Sequence, residues 1–302
     1  MSDLAIIGAG PAGLSAAIYA GRAGLKVSLL EKLVPGGQAA TTSFIENYPG
    51  FSEAISGPEL MERMKEQVEK LGLTSLSDEI TSITSGFKLN GREGVYEAKA
   101  VIIATGATSK KLGIPGEEKF IGRGVSYCAT CDGPLFKGKE IVVVGGGDRA
   151  IEEGLYLSNF ARSVTVVHRR DKLRAQEVLA RRARANEKMK FLLDTVVIEI
   201  DGNKSVEEIK VKSLKEGREK DFSCQGVFIF VGLSPNTGFI KNLISLDEGG
   251  YIITNEEMAS SREGIFAAGD VRKKTLRQIV TACGDGAISA MSAFRYISEA
   301  KG

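Results

Sequence analysis

Hydrophobic and polar positions follow two recurrent patterns along the chain: short runs of apolar residues and longer stretches with helical periodicity. Runs that are apolar at nearly every position are typical of strands buried on both faces of a parallel sheet. Their alternation with helical segments predicts an α/β fold. The predicted strands are Leu4–Ile7, Val27–Leu30, Val101–Ala104, Ile141–Val144, Val164–Val167 and Val227–Val231.

One helical segment has clear boundaries in the sequence. Gly57 and Pro58 open it and Gly72 ends it, as is usual for a helix start and stop. Its apolar residues recur at intervals of three and four and so share one face, which predicts packing against the core. The residues of this face are Leu60, Met61, Met64, Val68 and Leu71.

A glycine-rich turn follows the first predicted strand, and a related turn follows the fourth. The first, Gly8–Gly13, has the pattern G-x-G-x-x-G, and the second, Gly145–Ala150, begins 137 positions later. In both cases the next strand ends 23 residues after the first glycine, at Glu31 and at His168. This shared spacing predicts two strand–turn–helix–strand units of the Rossmann type, each suited to bind a dinucleotide.

The residues of the first turn each have a role in such a unit. Gly8 permits the tight turn, Gly10 lets a pyrophosphate approach the backbone, and Gly13 lets helix and strand pack closely. The pyrophosphate is expected at the helix N-terminus. Glu31 can accept hydrogen bonds from ribose hydroxyls and repels a 2′-phosphate, which favours FAD or NAD over NADP. The candidate residues of the turn are Gly8, Gly10, Pro11, Ala12 and Gly13.

The second unit has cations where the first has an acid. His168, Arg169 and Arg170 follow its second strand, and Arg174 comes soon after. A charge-assisted hydrogen bond contributes about 1.5–3 kcal/mol, so two such bonds to a partly exposed 2′-phosphate leave about 2–4 kcal/mol. This corresponds to a preference for NADPH over NADH of roughly thirty- to a thousandfold. The candidate residues in the turn itself are Gly145, Gly147 and Asp148.

A second interpretation of the basic run stays open. Arg181, Arg182 and Arg184 continue it, so the run is also consistent with the solvated start of a helix. His168 is alternatively a general base, although its place at a strand end favours the phosphate role.

The sequence contains one C-x-x-C pair, Cys128 and Cys131, followed directly by Asp132. Zinc would need two more ligands, for which the chain offers only a single histidine and two isolated cysteines, so no metal site is expected. Two thiols at this spacing can form a disulfide and exchange it with another dithiol, and Asp132 can carry the proton. The isolated Cys224 and Cys283 are expected to be small core residues.

Composition narrows the class of protein. At about 150 residues per domain, a length of 302 predicts two domains. A net charge of +2 gives no reason to expect nucleic acid or membrane as partner, and no apolar run reaches the roughly 18 residues of a membrane helix. A strand that starts at Leu4 leaves no room for a leader, and few cysteines favour a reducing, cytoplasmic setting.

Two stretches rich in glycine, proline and polar residues, Gly113–Gly116 and Ser234–Gly238, are the expected domain joints. Beyond them, Gly264–Asp270 predicts another short strand and turn. If that strand joins the first sheet, the second domain is an insertion within the first.

These motifs, in this order, resemble the low-molecular-weight thioredoxin reductases of the bacterial type, and the resemblance runs through essentially the whole chain. No single motif is specific, but the combination is. The motifs are Gly8–Gly13, Gly36–Gln38, Glu46–Gly50, Ala104–Gly106, Cys128–Asp132, Gly145–Asp148, His168–Arg170 with Arg174, Gly269–Asp270 and Arg277–Gln278.

The resemblance implies two Rossmann-like dinucleotide-binding domains, the second inserted into the first. The expected FAD-binding domain comprises residues 1–112 and 243–302, and the expected NADPH-binding domain comprises residues 113–242 and carries the C-x-x-C pair. The implied activity is electron transfer from NADPH through FAD to the Cys128–Cys131 disulfide and on to thioredoxin, in a homodimer. Cys131 would face the flavin, Cys128 would exchange with thioredoxin, and Asp132 would be the acid–base partner. The implied FAD contacts beyond the first turn and Glu31 are Gly37, Gln38, Ser43, Asn47, Thr105, Gly106, Gly269, Asp270, Arg277, Gln278 and Ile279.

Two departures from the family pattern concern specificity. Arg149 replaces a small residue beside the expected pyrophosphate of NADPH, where it would add charge or crowd the nucleotide. Pro134 and Leu135 stand where aromatic residues are usual, in a segment that borders the exchange partner. Alternatives stay open: the same flavin–dithiol core fed by ferredoxin, a small-dithiol oxidase, or a redox sensor that binds without turnover.

Overall fold

The structure is a computed structural model that describes residues 1–42 and 45–299. The chain divides into two compact units: one comprises Met1–Thr108 together with the chain from Ser234 onward, and the other is the continuous segment Ser109–Leu233. The predicted domain boundaries, after residues 112 and 242, lie four and nine residues beyond these two points.

The strands and helices are numbered here in chain order. The strands are β1 (Ser2–Ile7), β2 (Val27–Glu31), β3 (Ser75–Ser77), β4 (Ile80–Thr84), β5 (Lys88–Gly91), β6 (Val95–Ile103), β7 (Ala107–Ser109), β8 (Val125–Ser126), β9 (Glu140–Val144), β10 (Ser163–Val167), β11 (Met189–Leu192), β12 (Thr195–Asp201), β13 (Glu208–Ser213), β14 (Glu219–Ser223), β15 (Gly226–Ile229), β16 (Leu233–Pro235) and β17 (Ile265–Ala267). The helices are α1 (Pro11–Arg22), α2 (Gly57–Glu69), α3 (Ala129–Asp132), α4 (Asp148–Leu157), α5 (Glu177–Ala185) and α6 (Ile279–Glu299).

The first unit is built on a sheet of seven strands within the described residues. Six of them follow the order β3-β2-β1-β6-β5-β4, and the seventh, β17, also pairs with β6. Strands β3, β2, β1, β6 and β17 are parallel, whereas β4 and β5 form an antiparallel extension. Strand β6 is longer than predicted because its first half pairs with β5 and its second half with β17. The strand predicted near residue 265 therefore joins the first sheet, so the second unit interrupts the first.

Helix α2 carries one correction to the sequence prediction. Ser56 caps its N-terminus by accepting a hydrogen bond from the Glu59 N–H, and four of the five predicted face residues are buried. Leu71 is instead 38% exposed. The helix ends at Glu69, so Leu71 lies in the following turn and no longer continues the helical face.

The second unit has a parallel sheet with the strand order β11-β10-β9-β15-β8. The side chains of Ile141, Val143, Val164 and Phe228 are buried in its core, as the uniformly apolar runs predicted. A separate antiparallel sheet of β12, β13 and β14 lies in the chain between β11 and β15 of the parallel sheet. Strands β7 and β16, within which the chain passes from one unit to the other, pair in a two-stranded sheet.

None of the helices described is long and apolar enough to cross a membrane.

Candidate functional site

The first glycine turn lies at the carboxyl end of β1, and its geometry admits no side chain at two positions. Gly8 has a φ of +101°, and a Cβ there would lie 2.4 Å from the Ala104 carbonyl oxygen. A Cβ on Gly13 would lie 1.8 Å from the Gly8 carbonyl oxygen. At Gly10, by contrast, the nearest atom to a Cβ would be the Gly37 Cα at 3.9 Å. The turn is therefore tightly packed at its ends and open at its middle glycine.

Both helices that follow the glycine turns begin without a side-chain cap. Gly10 is the N-cap of α1 and Gly147 is the N-cap of α4, and neither helix start receives a side-chain hydrogen bond. The first N–H groups of a helix need an acceptor and attract anions. These two helix starts are therefore suited to phosphate groups.

Glu31 lies at the end of β2 and is hydrogen-bonded to the first turn. Its Oε2 accepts the Ala9 N–H at 2.8 Å, and its Oε1 accepts the Leu33 N–H at 3.0 Å. The carboxylate thus braces the turn and keeps spare acceptor capacity for hydroxyl groups.

Other predicted FAD residues converge on this turn from distant parts of the chain. Gly37 approaches Gly10, and a Cβ on Gly269 would lie 2.8 Å from the Ala12 Cβ. Asn47 donates to Gln278, with 3.1 Å between Nδ2 and Oε1.

Two further residues of the set are tied to neighbouring backbone. The Gln38 Nε2 donates to the Ala107 carbonyl oxygen, and the Thr105 hydroxyl donates to that of Asn236 at 2.9 Å. Gly106 follows in the same segment with a φ of +64°, and Ile279 begins α6. Ser43 lies outside the described residues.

Asp270 and Arg277 carry buried polar atoms that lack a protein partner. The Oδ1 of Asp270 and the Nε of Arg277 are buried; within the part of the chain that the structure describes, the oxygen accepts no hydrogen bond and the Nε–H donates none. The Arg277 guanidinium lies over the Tyr251 ring, 4.2 Å from its centroid. Burial raises the pKa of the Asp270 carboxyl, and Lys274 and Arg277 act in the opposite direction. Unsatisfied buried groups are costly, so these atoms fit a site completed by a polar ligand such as FAD.

The second glycine turn, after β9, is shaped by different contacts. Gly145 has a φ of +150°, and a Cβ there would lie 2.5 Å from the Phe230 carbonyl oxygen. A Cβ on Gly146 would lie 2.4 Å from the His168 Nδ1, so the imidazole packs directly against the turn. Around Gly147 no atom lies within 4 Å of a Cβ position, which leaves that point open.

The basic segment after β10 closes over this turn. The N–H groups of Arg174 and Ala175 both donate to the Gly146 carbonyl oxygen, at 2.6 and 3.1 Å. Asp148 accepts two hydrogen bonds from Gln176, through the backbone N–H at 2.7 Å and Nε2 at 3.1 Å. The cations of the segment are thereby held next to the start of α4.

The cations themselves are available to a ligand. Arg169, Arg170 and Arg174 are exposed, and none forms an ion pair among residues 1–42 and 45–299. His168 is 7% exposed, and its Nε2 is buried without a partner among those same residues. Burial, with help from Arg170, lowers the pKa of His168, so the ring is neutral near pH 7. His168 therefore offers hydrogen bonding, and the three arginines supply the positive charge.

Arg149 extends from the first turn of α4 across the carboxyl ends of the strands. Its guanidinium donates to the Ser109 hydroxyl and to the Tyr127 carbonyl oxygen, each at 3.4 Å, and lies 5.3 Å from the centroid of the Phe230 ring. Burial lowers the pKa of Arg149. Burial raises the pKa of Glu153, one helical turn later, to about 7, against the effect of Arg149.

Cys128 and Cys131 form a disulfide at the start of the short helix α3, with their Cα atoms 5.4 Å apart. The Cys131 N–H donates to the Cys128 Sγ at 3.2 Å, while the Cys128 N–H donates to the Ser126 hydroxyl at 3.0 Å. After reduction, an N–H directed at Sγ stabilises the thiolate form of Cys128. Cys131 is exposed, and Cys128 and Asp132 are partly exposed.

Sequence reasoning missed two buried carboxylates near these sites. Glu117, 1% exposed, accepts the Tyr127 hydroxyl at 2.6 Å and the N–H groups of Leu112 and Gly113 at 2.9 and 2.6 Å. Asp285 is buried in α6 and had a visible signal, because it is an acid between two glycines in an otherwise largely apolar helix. Glu117 had no such signal, since its surroundings are polar in sequence.

The two isolated cysteines, expected to be small core residues, differ in burial. Cys224 is fully buried and Cys283 is partly buried. Throughout the described ranges, no group of three His, Cys, Asp or Glu residues is arranged to hold a metal ion.

Comparison with known proteins places these features in one family. Residues 2–286 match the pyridine nucleotide-disulphide oxidoreductase family. A thioredoxin reductase of Bacillus subtilis is 52% identical over 98% of this chain and 95% of its own length. The crystal structure of Lactococcus lactis thioredoxin reductase in its FR conformation is 48% identical, covers 99% of this chain and all of its own, and superposes with a TM-score of 0.97. The crystal structure of T. acidophilum thioredoxin reductase is 38% identical, covers the full chain and 99% of its own, and superposes with a TM-score of 0.94. The chain therefore belongs to the thioredoxin reductase family of pyridine nucleotide-disulphide oxidoreductases.

Proposed function

We propose that the chain is an NADPH-dependent thioredoxin reductase in which two electrons pass from NADPH through FAD to the Cys128–Cys131 disulfide and then to the disulfide of thioredoxin. The observation that carries this proposal is the disulfide itself, formed by the one C-x-x-C pair of a chain that also has two glycine turns of the dinucleotide-binding type. FAD and NADPH are the cofactors of the family to which the chain belongs.

FAD, when bound, relays two electrons between the nicotinamide and the disulfide. We assign it to the discontinuous unit, where the uncapped start of α1 meets the pyrophosphate and Glu31 accepts from ribose hydroxyls. Asp270 and Arg277 supply the buried polar atoms that need a partner. The full set of proposed FAD contacts is Gly8, Gly10, Pro11, Ala12, Gly13, Glu31, Gly37, Gln38, Ser43, Asn47, Thr105, Gly106, Gly269, Asp270, Arg277, Gln278 and Ile279.

We assign NADPH to the continuous unit. The open position at Gly147 and the uncapped start of α4 suit its pyrophosphate, and Arg169, Arg170 and Arg174 suit its 2′-phosphate. The neutral ring of His168 contributes a hydrogen bond through its buried Nε2. The remaining proposed contacts are Gly145, Asp148 and Arg149.

The dithiol step assigns different roles to the two cysteines. Reduction of the disulfide consumes two electrons and two protons and yields two thiols. Cys128, whose thiolate is stabilised by the Cys131 N–H, attacks one sulfur of the thioredoxin disulfide and releases the other as a thiol. Cys131 then attacks the mixed disulfide, which restores the Cys128–Cys131 bond and frees reduced thioredoxin. Asp132 accepts and returns the proton during these exchanges.

We infer a homodimer from an apolar patch on the first unit. Tyr19, Ile288 and Met291 are each between 39% and 46% exposed and line one shallow cavity on α1 and α6 with Ala287. A second copy of this chain is the proposed occupant, as the family resemblance implies. Light scattering after size-exclusion chromatography is expected to give twice the chain mass for the wild type and the chain mass for an Ile288→Arg/Met291→Glu variant. A monomeric wild type contradicts the inference.

A cytoplasmic location is the setting that this chemistry favours, because dithiols of this kind work in a reducing compartment. Cell fractionation followed by detection of the chain tests it, and recovery outside the cytoplasmic fraction contradicts it.

Anaerobic titration with NADPH and with NADH tests the electron donor. The flavin absorbance of the holoenzyme is expected to bleach with one equivalent of NADPH and far less with NADH, and the enzyme is then expected to turn over thioredoxin. A flavin that stays oxidised with NADPH but is reduced by dithionite would favour a different donor such as ferredoxin. Multiple turnovers with NADPH exclude a sensor that binds without turnover.

A further inference from the structure

Asp285 is a buried carboxylate in α6, and it lies beside the first turn of α1. The residue is only 7% exposed. At the next position, Gly286, the two helices approach so closely that a Cβ would lie 2.2 Å from the Ala12 carbonyl oxygen. Ala12 belongs to the first glycine turn, so Asp285 is one residue away from a direct contact with the proposed FAD site.

Three donors converge on the Asp285 carboxylate. Oδ2 accepts the Gly269 N–H at 3.1 Å and the Lys274 Nζ at 2.7 Å. Oδ1 accepts the Arg272 Nη1 at 3.0 Å, and Arg272 is itself fixed by a 2.9 Å hydrogen bond from Nε to the Thr254 hydroxyl. The side chains of Lys274 and Arg272 are 8% and 13% exposed, so solvent screens these ion pairs only weakly.

Two of these donors flank Asp270, the residue with an unpartnered buried oxygen. Gly269 directly precedes it and has a φ of +79°, a conformation that only glycine adopts easily. Lys274 follows it by four residues and lowers the pKa of the Asp270 carboxyl, whereas burial and, to a smaller extent, Asp285 itself raise that pKa. Asp285 therefore holds both the backbone before Asp270 and a cation whose charge favours the ionised form of Asp270.

We propose that Asp285 is a positioning residue of the flavin site: by binding the Gly269 N–H and Lys274 together, it holds the Gly269–Asp270 turn in the conformation that presents the Asp270 carboxylate to FAD. This inference rests on the proposed function, because the assignment of Asp270 to FAD is part of it. A purely structural role differs in one respect. If Asp285 only neutralises the buried cations Arg272 and Lys274, removing both cations together with the carboxylate restores FAD binding, whereas a positioning role is not restored.

The test measures the affinity of the full-length apoprotein for FAD by quenching of flavin fluorescence, together with the thermal midpoint of the apoprotein. Asp285→Ala is expected to weaken FAD binding about thirtyfold, because it removes a charged hydrogen-bonding group that orders the turn. Asp285→Asn keeps an oxygen for the Gly269 N–H and is expected to weaken binding by about fivefold. The triple variant Asp285→Ala/Arg272→Met/Lys274→Met removes both buried cations and is expected to bind FAD as weakly as Asp285→Ala. Recovery of wild-type affinity in the triple variant overturns the proposal.

Glu257→Gln is the matched control, because it removes an exposed ion pair with Arg295, a residue of α6. It is expected to leave FAD affinity unchanged. If Asp285→Ala does not fold, Asp285→Asn carries the test, and an affinity within twofold of wild type overturns the proposal. Asp270→Asn separates the two levels of inference. If it binds FAD as tightly as wild type, the assignment of Asp270 fails; if it weakens binding while the Asp285 variants do not, only the role of Asp285 fails.

Discussion

The two glycine turns have the same spacing but differ at the third position of their motif. In the first turn this position is Gly13, where a Cβ would lie 1.8 Å from the Gly8 carbonyl oxygen. In the second it is Ala150, which has a Cβ and leaves room for it. Helix α1 therefore approaches its turn more closely than α4 does. The two turns share the same motif, but the third position of the first turn does not tolerate the methyl group that Ala150 carries in the second.

The residues at the second strand ends also differ in what they bind. Glu31 is hydrogen-bonded to the Ala9 N–H and so stabilises its own turn. His168 packs against Gly146 but leaves its Nε2 without a partner within the described chain. Glu31 therefore stabilises its own turn before any ligand binds, whereas the Nε2 of His168 is available for a hydrogen bond to a ligand.

The largest effect is expected from Gly13→Ala. The added methyl would overlap the Gly8 carbonyl, so the first turn must deform, at a cost of about 3 kcal/mol or more in the free energy of unfolding. Loss of flavin absorbance and a lower thermal midpoint measure this. The reverse change in the other turn, Ala150→Gly, is expected to cost only about 0.5–1 kcal/mol. A Gly13→Ala protein that retains FAD would remove the distinction between the turns.

The next effect concerns charge in the second site. Arg169→Ala/Arg170→Ala is expected to reduce the preference for NADPH over NADH by roughly thirty- to a thousandfold, mainly through a higher KM for NADPH. FAD content is expected to stay at the wild-type level. Arg181→Ala/Arg184→Ala, in α5, is the matched control for general basic charge. Equal losses in both variants would favour the interpretation of the run as a solvated helix start.

A smaller effect is expected from Glu31→Gln, which keeps the shape of the side chain but removes its charge. The amide has one oxygen, so it can accept from Ala9 or from Leu33 but not from both. FAD affinity is expected to fall about tenfold, with the KM for NADPH unchanged. Unchanged FAD affinity would show that the hydrogen bonds from the Glu31 carboxylate to the first turn are not needed for FAD binding.

The smallest effect is the pH dependence contributed by His168. Burial lowers the pKa of this ring below its ordinary 6.5, so the unfolded chain binds a proton at this position more readily than the folded chain. Its contribution to stability is complete above pH 6.5 and is lost as the pH falls through the lowered pKa. Thermal midpoints measured between pH 7 and pH 5 are expected to fall less in His168→Asn than in the wild type. Identical slopes would contradict the assignment of a buried neutral ring.

The sequence was sufficient to predict the α/β class, both glycine turns and the strand near residue 265. These features depend on local patterns: uniformly apolar runs and a spacing of 23 residues can be recognised in the sequence without knowing which distant residues are in contact. The sheet of β12, β13 and β14 was not predicted, because its strands contain polar residues that interrupt the uniformly apolar runs by which the other strands were recognised. Leu71 was misplaced because the period alone does not mark the residue at which a helix ends.

The contacts that support the candidate FAD residues could not be predicted from the sequence. The sequence marks Asp270 and Arg277 as candidates, but it does not show that Tyr251 lies under Arg277 or that Asp285 binds the backbone before Asp270. Arg149 was recognised as unusual, whereas its contacts with Ser109 and Tyr127 depend on the fold. The residues of each such pair are far apart in sequence, and neither residue alone has a sequence pattern that indicates its partner.

Strand β17 implies an order of events during synthesis. It pairs with β6 although about 160 residues separate them, and the whole of Ser109–Leu233 is translated in between. The continuous unit can therefore fold on the ribosome while the first sheet still lacks a strand, because domains generally fold as units. Asp270, Arg277 and Asp285 emerge later still. On this view the proposed flavin site is completed only after the continuous unit has been synthesised, so capture of FAD reports that the chain up to Asp285 has left the ribosome.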